Sequence, residues 1–247
     1  MILKKEAKKI LEQFLNYSIS NTKEILNLFS SLPNAIYYFD GGKNNFVYIP
    51  GNRSDRVLLV AHVDTVWDEF YSSNICFKNS LKYKFGKYYS GTKENGIGAD
   101  DRAGCAILWL LKDLGHSLLI LDGEEHGQIG ANHLKNNYPD IYKEINNHNY
   151  MIQFDRRGKI DYKTYNIPVT TEFINFIEKN TKYKDAGKKS RTDIVVLCNE
   201  ICGVNFSVGY YNEHTSDEIL IFKEWFNTLN ICYRLLMKEQ NKCPLDK

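Results

Sequence analysis

This sequence of 247 residues has few of the features that mark membrane proteins, nucleic-acid-binding proteins or disulfide-stabilised proteins. None of its apolar runs reaches the ~18 residues that a membrane-spanning helix requires. Its 32 basic residues nearly balance 30 acidic ones, and the net charge of +2 points neither to nucleic acid nor to a membrane surface. The amino-terminal segment MILKKEAKKILEQFL lacks an uninterrupted apolar stretch, which argues against a secretory signal.

The cysteines lack any recognisable pattern. The chain shows neither a paired CxxC framework nor zinc-finger spacing among its six cysteines, which are Cys76, Cys105, Cys198, Cys202, Cys232 and Cys243. We therefore expect reduced and largely buried thiols, and a cytoplasmic protein. Because no Pro/Gly/Ser-rich linker interrupts the chain, residues 1–247 are predicted to form a single domain.

Strand-like and helix-like segments alternate along the chain. Continuous apolar runs predict strands that are covered on both faces, namely RVLLVAHV, SLLILDG, YMIQFD and GVNFSVGYY. AIYYFD and NNFVYIP, which flank Gly41–Gly42, predict a hairpin. Helical periodicity appears at the amino terminus, in KEILNLFSSL, over 101–114, in TTEFINFIEKN and TDIVVLCNEI, and over 217–238. This alternation predicts a three-layer α/β/α fold with a mostly parallel mixed sheet.

Acidic residues and histidines follow the predicted sheet strands. The four strand ends supply His62 and Asp64, then Glu124 and Glu125, then Asp155, and finally His214 a few residues beyond the last strand. In an open α/β sheet, ligands bind in the crevice outside the carboxyl ends of the strands. We therefore expect these side chains to face one region, together with Asp100 at the first turn of a helix.

These polar residues suit a metal site. Burying so many carboxylates together requires a positive counter-charge, and a set of two histidines and several carboxylates suits Zn²⁺, with Co²⁺ or Mn²⁺ as alternatives. His62 and Asp64 point to the same side of a strand, so the carboxylate can orient the imidazole. Glu124 and Glu125 point in opposite senses, which allows one to bind metal and the other to act as a general base.

Each of these residues also has an ordinary structural explanation when it is taken alone. Asp100 and Asp101 can cap a helix, Glu124 and Glu125 can form a solvated turn, and Asp155 can pair with a neighbouring arginine. Their shared position at the ends of strands favours the metal site over these separate explanations. The remaining histidines lack that position and are predicted to lie at the surface, namely His116, His126, His133 and His148, with a place in the lining of the pocket as the alternative for His126.

Five motifs in one order resemble those of a known group of enzymes. AHVDTV, GIGADDRAG, DGEEHGQIGA, QFDRRG and YYNEHTSDE together resemble motifs of the dinuclear zinc exopeptidase clan, which includes peptidase T, aminoacylase-like peptidases and glutamyl aminopeptidases. The resemblance extends from His62 to His214. It implies the zinc exopeptidase-like fold, of the phosphorylase/hydrolase type, and two bound Zn²⁺ ions.

The resemblance also implies which residues bind each ion. One ion is expected at His62, Asp100 and Asp155. The second is expected at Asp100, Glu125 and His214, so that Asp100 bridges the pair.

Further roles follow from the same resemblance. Glu124 matches the general base, and Asp64 matches the residue that orients His62. A cis peptide bond is expected between Asp100 and Asp101. Two divalent ions would then activate a water molecule for hydrolysis of an amide bond.

One departure from the clan concerns an inserted domain. Peptidase T and its closer relatives carry a lid or dimerisation domain between the third carboxylate and the last histidine. Here Asp155 and His214 lie only about 60 residues apart, too few for a lid domain of the usual size. No dimer through a lid is therefore expected, and recognition of the substrate terminus falls to the core. Arg156, Arg157 and Arg191 are candidates for binding a substrate carboxylate.

The predicted function is that of a metal-dependent exopeptidase, most simply an aminopeptidase that acts on short peptides. An N-acyl-amino-acid deacylase uses the same chemistry and is the close alternative. A catalytically silent binding homologue would have lost ligands, and none is missing. A thiol hydrolase using Cys105 or Cys198 is disfavoured because neither has an obvious histidine partner. We expect neither nucleic acid nor membrane as a partner, and the oligomeric state stays open.

Overall fold

The computed structural model describes residues 2–68 and 80–246, so the prediction for Cys76 lies outside the described residues. The helices are α1 (Lys4–Asn16), α2 (Lys23–Ser30), α3 (Ala99–Leu111), α4 (Ile129–Asn137), α5 (Pro139–Ile145), α6 (Thr171–Thr181), α7 (Asp193–Leu197) and α8 (Phe222–Leu236). The strands of the larger sheet are β1 (Ile36–Tyr38), β2 (Phe46–Ile49), β3 (Leu58–His62), β6 (Ser117–Leu121), β7 (Met151–Arg156), β8 (Asp161–Lys163), β9 (Lys184–Asp185) and β10 (Gly203–Ser207). A smaller sheet contains β4 (Leu81–Lys84), β5 (Lys87–Ser90), β11 (Tyr210–Tyr211) and β12 (Ile219–Ile221).

The larger sheet has the strand order β1-β2-β6-β3-β7-β10-β8-β9. Its centre is parallel, since β3 pairs in parallel with β6 and β7, and β7 pairs in parallel with β10. The predicted hairpin is present as antiparallel β1 and β2, and β2 joins the sheet antiparallel to β6. The mostly parallel mixed sheet predicted from the alternating pattern is thus confirmed.

Apolar side chains cover both faces of this sheet. Along β3, Leu59 and Ala61 pack into a cluster that contains residues of α1, α3 and α8. Leu58 and Val60 point to the other face and pack with residues of α4 and α7. Because successive side chains of a strand point to opposite faces, two separate cores form and the fold has three layers. The predicted three-layer α/β/α architecture is confirmed.

The smaller sheet was not predicted, and it changes the carboxyl-terminal elements. The predicted helix over 217–238 begins only at Phe222, because Ile219–Ile221 instead pairs with β5. The predicted strand GVNFSVGYY is divided, with β10 in the larger sheet and β11 in the smaller one. The helix predicted in TDIVVLCNEI ends at Leu197.

Several buried residues also differ from prediction. His116 and His148, predicted at the surface, are 2% and 1% exposed because each ring bonds to neighbouring backbone or side-chain groups beside β6. The cysteines of the described ranges are free thiols. Cys105, Cys202 and Cys232 are buried, as predicted, while Cys198 and Cys243 are half-buried.

The segment between Asp155 and His214 contributes α6 and α7 together with β8, β9 and β10, which continue the larger sheet. The organisation of residues 1–247 as a single domain stays a prediction. Within residues 2–68 and 80–246, no helix combines the length and the apolar character that crossing a membrane demands.

Candidate metal centre

The predicted site residues gather at the carboxyl ends of the central parallel strands. His62 is the last residue of β3 and pairs in register with Leu121, the last residue of β6. Asp155 lies near the end of β7, and Glu124 and Glu125 follow β6 directly. Since these strands run in parallel, their polar ends meet along one rim of the sheet.

The His62 imidazole lies at the centre of this group and is almost fully buried. Its Nε2 atom lies 3.2 Å from Asp100 Oδ1 and 3.4 Å from Asp155 Oδ1. Its Nδ1 atom lies 3.2 Å from Asp64 Oδ1 on the other side of the ring. One ring nitrogen thus faces two carboxylates, while the other is held by the residue predicted to orient it.

His214 completes the other half of the group. Its Nε2 atom lies 3.1 Å from Asp100 Oδ2 and 2.9 Å from Glu125 Oε1. The two oxygens of Asp100 therefore face different imidazoles, Oδ1 towards His62 and Oδ2 towards His214. A carboxylate placed between two such clusters has the arrangement of a bridging ligand.

The Asp100 turn is shaped by the backbone around it. The predicted cis peptide bond between Asp100 and Asp101 is present, and both residues depart from helical geometry within the first turn of α3. Gly98, with a φ of 61°, precedes this turn in the left-handed region that favours glycine. Glu218 holds the turn, because its carboxylate accepts bonds from Ile97 N and Gly98 N at 2.7 Å each and from Asp100 N at 3.1 Å.

Asp101 is occupied by backbone groups. Its Oδ2 accepts from His62 N at 3.3 Å, and its Oδ1 accepts from Gly104 N at 2.9 Å. Gly104 must be glycine here, since a Cβ atom would lie 2.2 Å from Phe154 O and 2.5 Å from the Asp101 carboxylate. Although Asp101 lies close enough to His62 and Asp155 to form a metal-binding triad, these bonds indicate a role in shaping the turn.

Asp155 is held by three side chains. Thr192 Oγ1 donates to Asp155 Oδ2 at 2.7 Å, and Gln153 Nε2 donates to the same oxygen at 3.2 Å. Tyr210 OH donates to Asp155 Oδ1 at 3.2 Å. These donors fix the carboxylate with one oxygen directed towards His62.

Asp64 links the imidazole to the acidic pair that follows β6. Its Oδ1 accepts from Glu124 N at 3.0 Å, and its Oδ2 accepts from Glu125 N at 3.1 Å. The two backbone bonds set the positions of Glu124 and Glu125 relative to His62. Asp64 therefore positions the predicted base, in addition to the ring it was predicted to orient.

The protonation of this cluster reflects its excess of negative charge. Burial, together with the nearby Asp155 carboxylate, raises the pKa of Glu124 to about 10. Burial and Asp100 raise the pKa of Glu125 to about 7. Hydrogen bonds that the protonated His214 ring donates to the Asp100 and Glu125 carboxylates raise the pKa of His214 to about 11. The pKa of His62 is also raised, because the Asp155 and Asp100 carboxylates outweigh the opposing effect of its burial.

This donor set fits divalent cations. Ligand atoms of His62, Asp100 and Glu125 lie within 4.8 Å of one another, and His214 Nε2 lies close to two of these residues. Glu125 Oε1 is buried, and its close polar neighbour is His214 Nε2 at 2.9 Å. A cation would satisfy this oxygen and would replace the protons that now balance the cluster.

The three predicted arginines are not equivalent. Arg156 makes a two-point contact with Asp161, with Nε to Oδ1 at 3.0 Å and a terminal nitrogen to Oδ2 at 3.3 Å. Arg157 pairs with Glu213 at 2.9 Å. Arg191 is exposed. All three line the pocket of about 350 Å³ into which Asp100, Glu124, Glu125, Asp155 and His214 also face.

Several residues that position the site were missed by sequence reasoning. Glu218 stands in the quoted motif YYNEHTSDE but was read only as part of a helix start. Gln153 and Thr192 carry no pattern of their own, since each acts through a contact with Asp155 that depends on the folded chain. The best available signal for Thr192 is the polar pair Thr192–Asp193, which stands at the start of the apolar segment that forms α7.

Comparisons with known proteins identify this architecture. No protein-family model matches the chain, and no curated protein matches it in sequence. Among solved structures, the aminopeptidase PepT from Bacillus cereus superposes with a TM-score of 0.64 at 14% identity, covering 96% of this chain and 98% of that one. This chain shares the fold of that aminopeptidase.

Other solved structures of this fold agree. A tripeptidase from Staphylococcus aureus superposes with a TM-score of 0.67 at 12% identity, covering 96% of this chain and 98% of that one. An aminopeptidase from the archaeon Desulfurococcus kamchatkensis gives a TM-score of 0.62 at 11% identity, covering 95% of this chain and 96% of that one. At such low identity the likeness shows a common fold, while the chemistry must be argued from this chain's own residues.

Proposed function

We propose that the protein is a metal-dependent exopeptidase that removes residues from short peptides, most simply as an aminopeptidase. His62, Asp100 and Asp155 would hold one divalent ion. Asp100, Glu125 and His214 would hold the other, with Zn²⁺ as the first choice and Co²⁺ or Mn²⁺ as alternatives. Bound ions of this kind lower the pKa of a water molecule and polarise a carbonyl group.

The central support for this proposal is the position of Asp100. Its two carboxylate oxygens lie 3.2 Å and 3.1 Å from the Nε2 atoms of two different histidines. A helix cap does not explain this arrangement, because both carboxylate oxygens face imidazole nitrogens instead of the backbone N–H groups of the first turn. A shared ligand between two cations accounts for it directly.

The remaining steps belong to the chain's own residues. Glu124 is nine-tenths buried and lines the same pocket as the ligands. We assign it to accept a proton from the attacking water and to pass that proton to the leaving amine. Asp64 holds the His62 ring through Nδ1 and holds Glu124 through its backbone N–H, so one carboxylate positions both a ligand and the base.

The thiols and the pocket also suggest a cellular location and a class of substrate. The free thiols of the described residues fit a reducing compartment such as the cytoplasm, which we propose as the location. A small peptide or an N-acyl amino acid is the proposed substrate, and neither nucleic acid nor membrane is a proposed partner.

The test is hydrolysis by protein of known metal content. Zinc-loaded protein is assayed on a panel of aminoacyl and N-acyl reporters, with and without a chelator, and metal is quantified by elemental analysis. We expect close to two ions per chain, turnover of aminoacyl reporters, and loss of turnover with chelator. Turnover of only N-acyl reporters would indicate the deacylase, and turnover that is unchanged by complete metal removal would refute the mechanism.

A further inference from the structure

One wall of the metal-centre pocket contains a buried lysine. Lys163 is the last residue of β8, is only 8% exposed, and lines the same pocket as Asp100, Glu125 and His214. Lysine is almost never buried to this degree without a partner of opposite charge. The groups that contact Lys163 Nζ decide whether the protein itself supplies that opposite charge.

The ammonium group of Lys163 has only neutral partners. Nζ donates to the Lys189 carbonyl at 2.6 Å and to Ser190 Oγ at 3.2 Å, and the Tyr165 ring centroid lies 5.8 Å away. Within residues 2–68 and 80–246, no carboxylate forms an ion pair with it. A buried charge without a counter-charge is costly, so this group favours an anion supplied from outside.

Lys163 differs in this respect from its arginine neighbours. The charge of Arg156 is balanced by Asp161, and the charge of Arg157 is balanced by Glu213. Burial and these two guanidinium groups lower the pKa of Lys163, and the Asp161 and Asp185 carboxylates offset that effect only in part. An arriving carboxylate would reverse that effect.

The loop that Lys163 holds has an unusual backbone. Ser190 adopts a φ of 80°, a left-handed conformation that is uncommon for a residue other than glycine. Such conformations persist where surrounding contacts hold them, and they cluster at binding sites. Here the Lys163 ammonium bonds to this residue, so the lysine and the loop form one wall of the pocket.

We propose that Lys163 binds the free carboxylate of the substrate's leaving group, which restricts the enzyme to short peptides with an unblocked carboxyl terminus. This inference rests on the proposed exopeptidase function. With ions bound to the carboxylates of the pocket, the basic side chains of this wall leave a net positive field for an anion. A pocket of about 350 Å³, at the small end of ligand sites, suits a short peptide.

The experiment compares a tripeptide with its carboxyl-terminal amide. Trialanine and trialanine amide are assayed on the zinc-loaded full-length protein, and kcat/KM is measured for each. We expect the free acid to be preferred by about tenfold to hundredfold, the range for a charge-assisted hydrogen bond. Lys163→Met should reduce that preference to less than about threefold, mainly by slowing the free acid.

Two matched variants separate charge from structure. Lys159→Met removes an exposed lysine that lines a different cavity, and it should keep the full preference. Lys163→Arg keeps a positive charge and should retain a clear preference for the acid. Equal activity of the wild type on acid and amide would overturn the inference, as would a Lys163→Met variant that loses both activities in the same proportion.

A binding measurement protects the test against a variant that folds poorly. Calorimetry with dialanine and dialanine amide on the zinc-loaded Glu124→Gln variant, which keeps Lys163 and should not hydrolyse them, should show tighter binding of the acid by at least about tenfold. Equal affinities would overturn the inference while leaving the exopeptidase proposal intact. The absence of hydrolysis on every reporter would instead refute the proposed function.

Discussion

Histidines lie at both ends of the larger sheet, and their surroundings give them opposite properties. At the carboxyl end, His62 and His214 face carboxylates, and the pKa of His214 is raised to about 11. At the amino end, His148 meets only a carbonyl and a hydroxyl, and burial lowers its pKa to about 4. The same side chain is therefore a charged site component at one end and a neutral structural group at the other.

His116 and His148, at the amino end of the sheet, have structural roles of the ordinary kind. His116 accepts from Val57 N at 3.1 Å through Nδ1 and donates to Leu236 O at 2.9 Å through Nε2. Both ring nitrogens are satisfied, and no carboxylate is needed. At the carboxyl end, by contrast, two imidazoles share one carboxylate, and further residues position His62, the Asp100 turn and Asp155. The surplus of acids beside the ring, more than its burial, distinguishes a candidate metal site from a packed core.

The largest expected effect comes from removing the proposed base. Glu124→Gln should lower kcat by about 10²–10⁴-fold, because proton transfer is lost while the ligands are kept. Metal content, measured in the same preparation, should stay near two ions per chain. The matched control is Glu144→Gln at the amino end of the sheet, which should leave kcat unchanged. Full activity of a metal-loaded Glu124→Gln variant would exclude Glu124 as the base.

The next largest effect concerns stability and His148, the neutral histidine at the amino end of the larger sheet. The pKa of His148 lies near 4 in the folded protein, below its ordinary value of 6.5, so the folded state binds fewer protons than the unfolded chain between these values. The neutral His148 ring therefore contributes fully to the free energy of unfolding above pH 6.5. This contribution, about 3 kcal/mol, is lost as the pH falls towards 4.

Urea unfolding at several pH values tests this expectation. The free energy of unfolding of the wild type should fall more steeply between pH 6.5 and 4 than that of His148→Gln. Parallel pH profiles for the two proteins would show that His148 titrates as freely in the folded protein as in the unfolded chain.

The smallest effect is a proton count at the candidate metal centre. In metal-free protein, the raised pKa values of His62 and His214 keep both rings protonated near pH 7. Loading both ions should therefore release at least two protons, since Glu125, with a pKa of about 7, is partly protonated as well. Each proton weakens apparent affinity about tenfold per unit of falling pH. Zinc calorimetry in buffers of different ionisation enthalpy gives the count, and zero net release would contradict this assignment of protonation states.

The rim of the sheet was predictable because its signal is local. Apolar runs that end abruptly in acids or histidines identify strands and place their last residues together, and the structure brings His62, Asp155 and Glu125 to one rim as expected. The smaller sheet escaped prediction, although the Phe85-Gly86 turn between tyrosine-rich and lysine-rich segments is a hairpin signal. Propensity favoured helix over 217–221, and pairing with β5 outweighed it.

Residues that act through distant contacts could not be found in this way. Glu218 binds a turn more than a hundred positions earlier, and Lys163 bonds to a loop whose path depends on the whole fold. Neither position stands out by composition or spacing. Arg156, which did stand out, proves to be balanced by Asp161.

The hydrogen bonds that Glu218 accepts from the Asp100 turn have a consequence for biosynthesis. The Asp100 turn emerges from the ribosome more than a hundred residues before Glu218, which holds it. His214 emerges only shortly before Glu218. A nascent chain therefore exposes its acidic loops without their organising partners until most of it has been translated. On the proposed function, both ions would therefore bind late, after the chain's last strands have joined their sheets, instead of guiding the first ones.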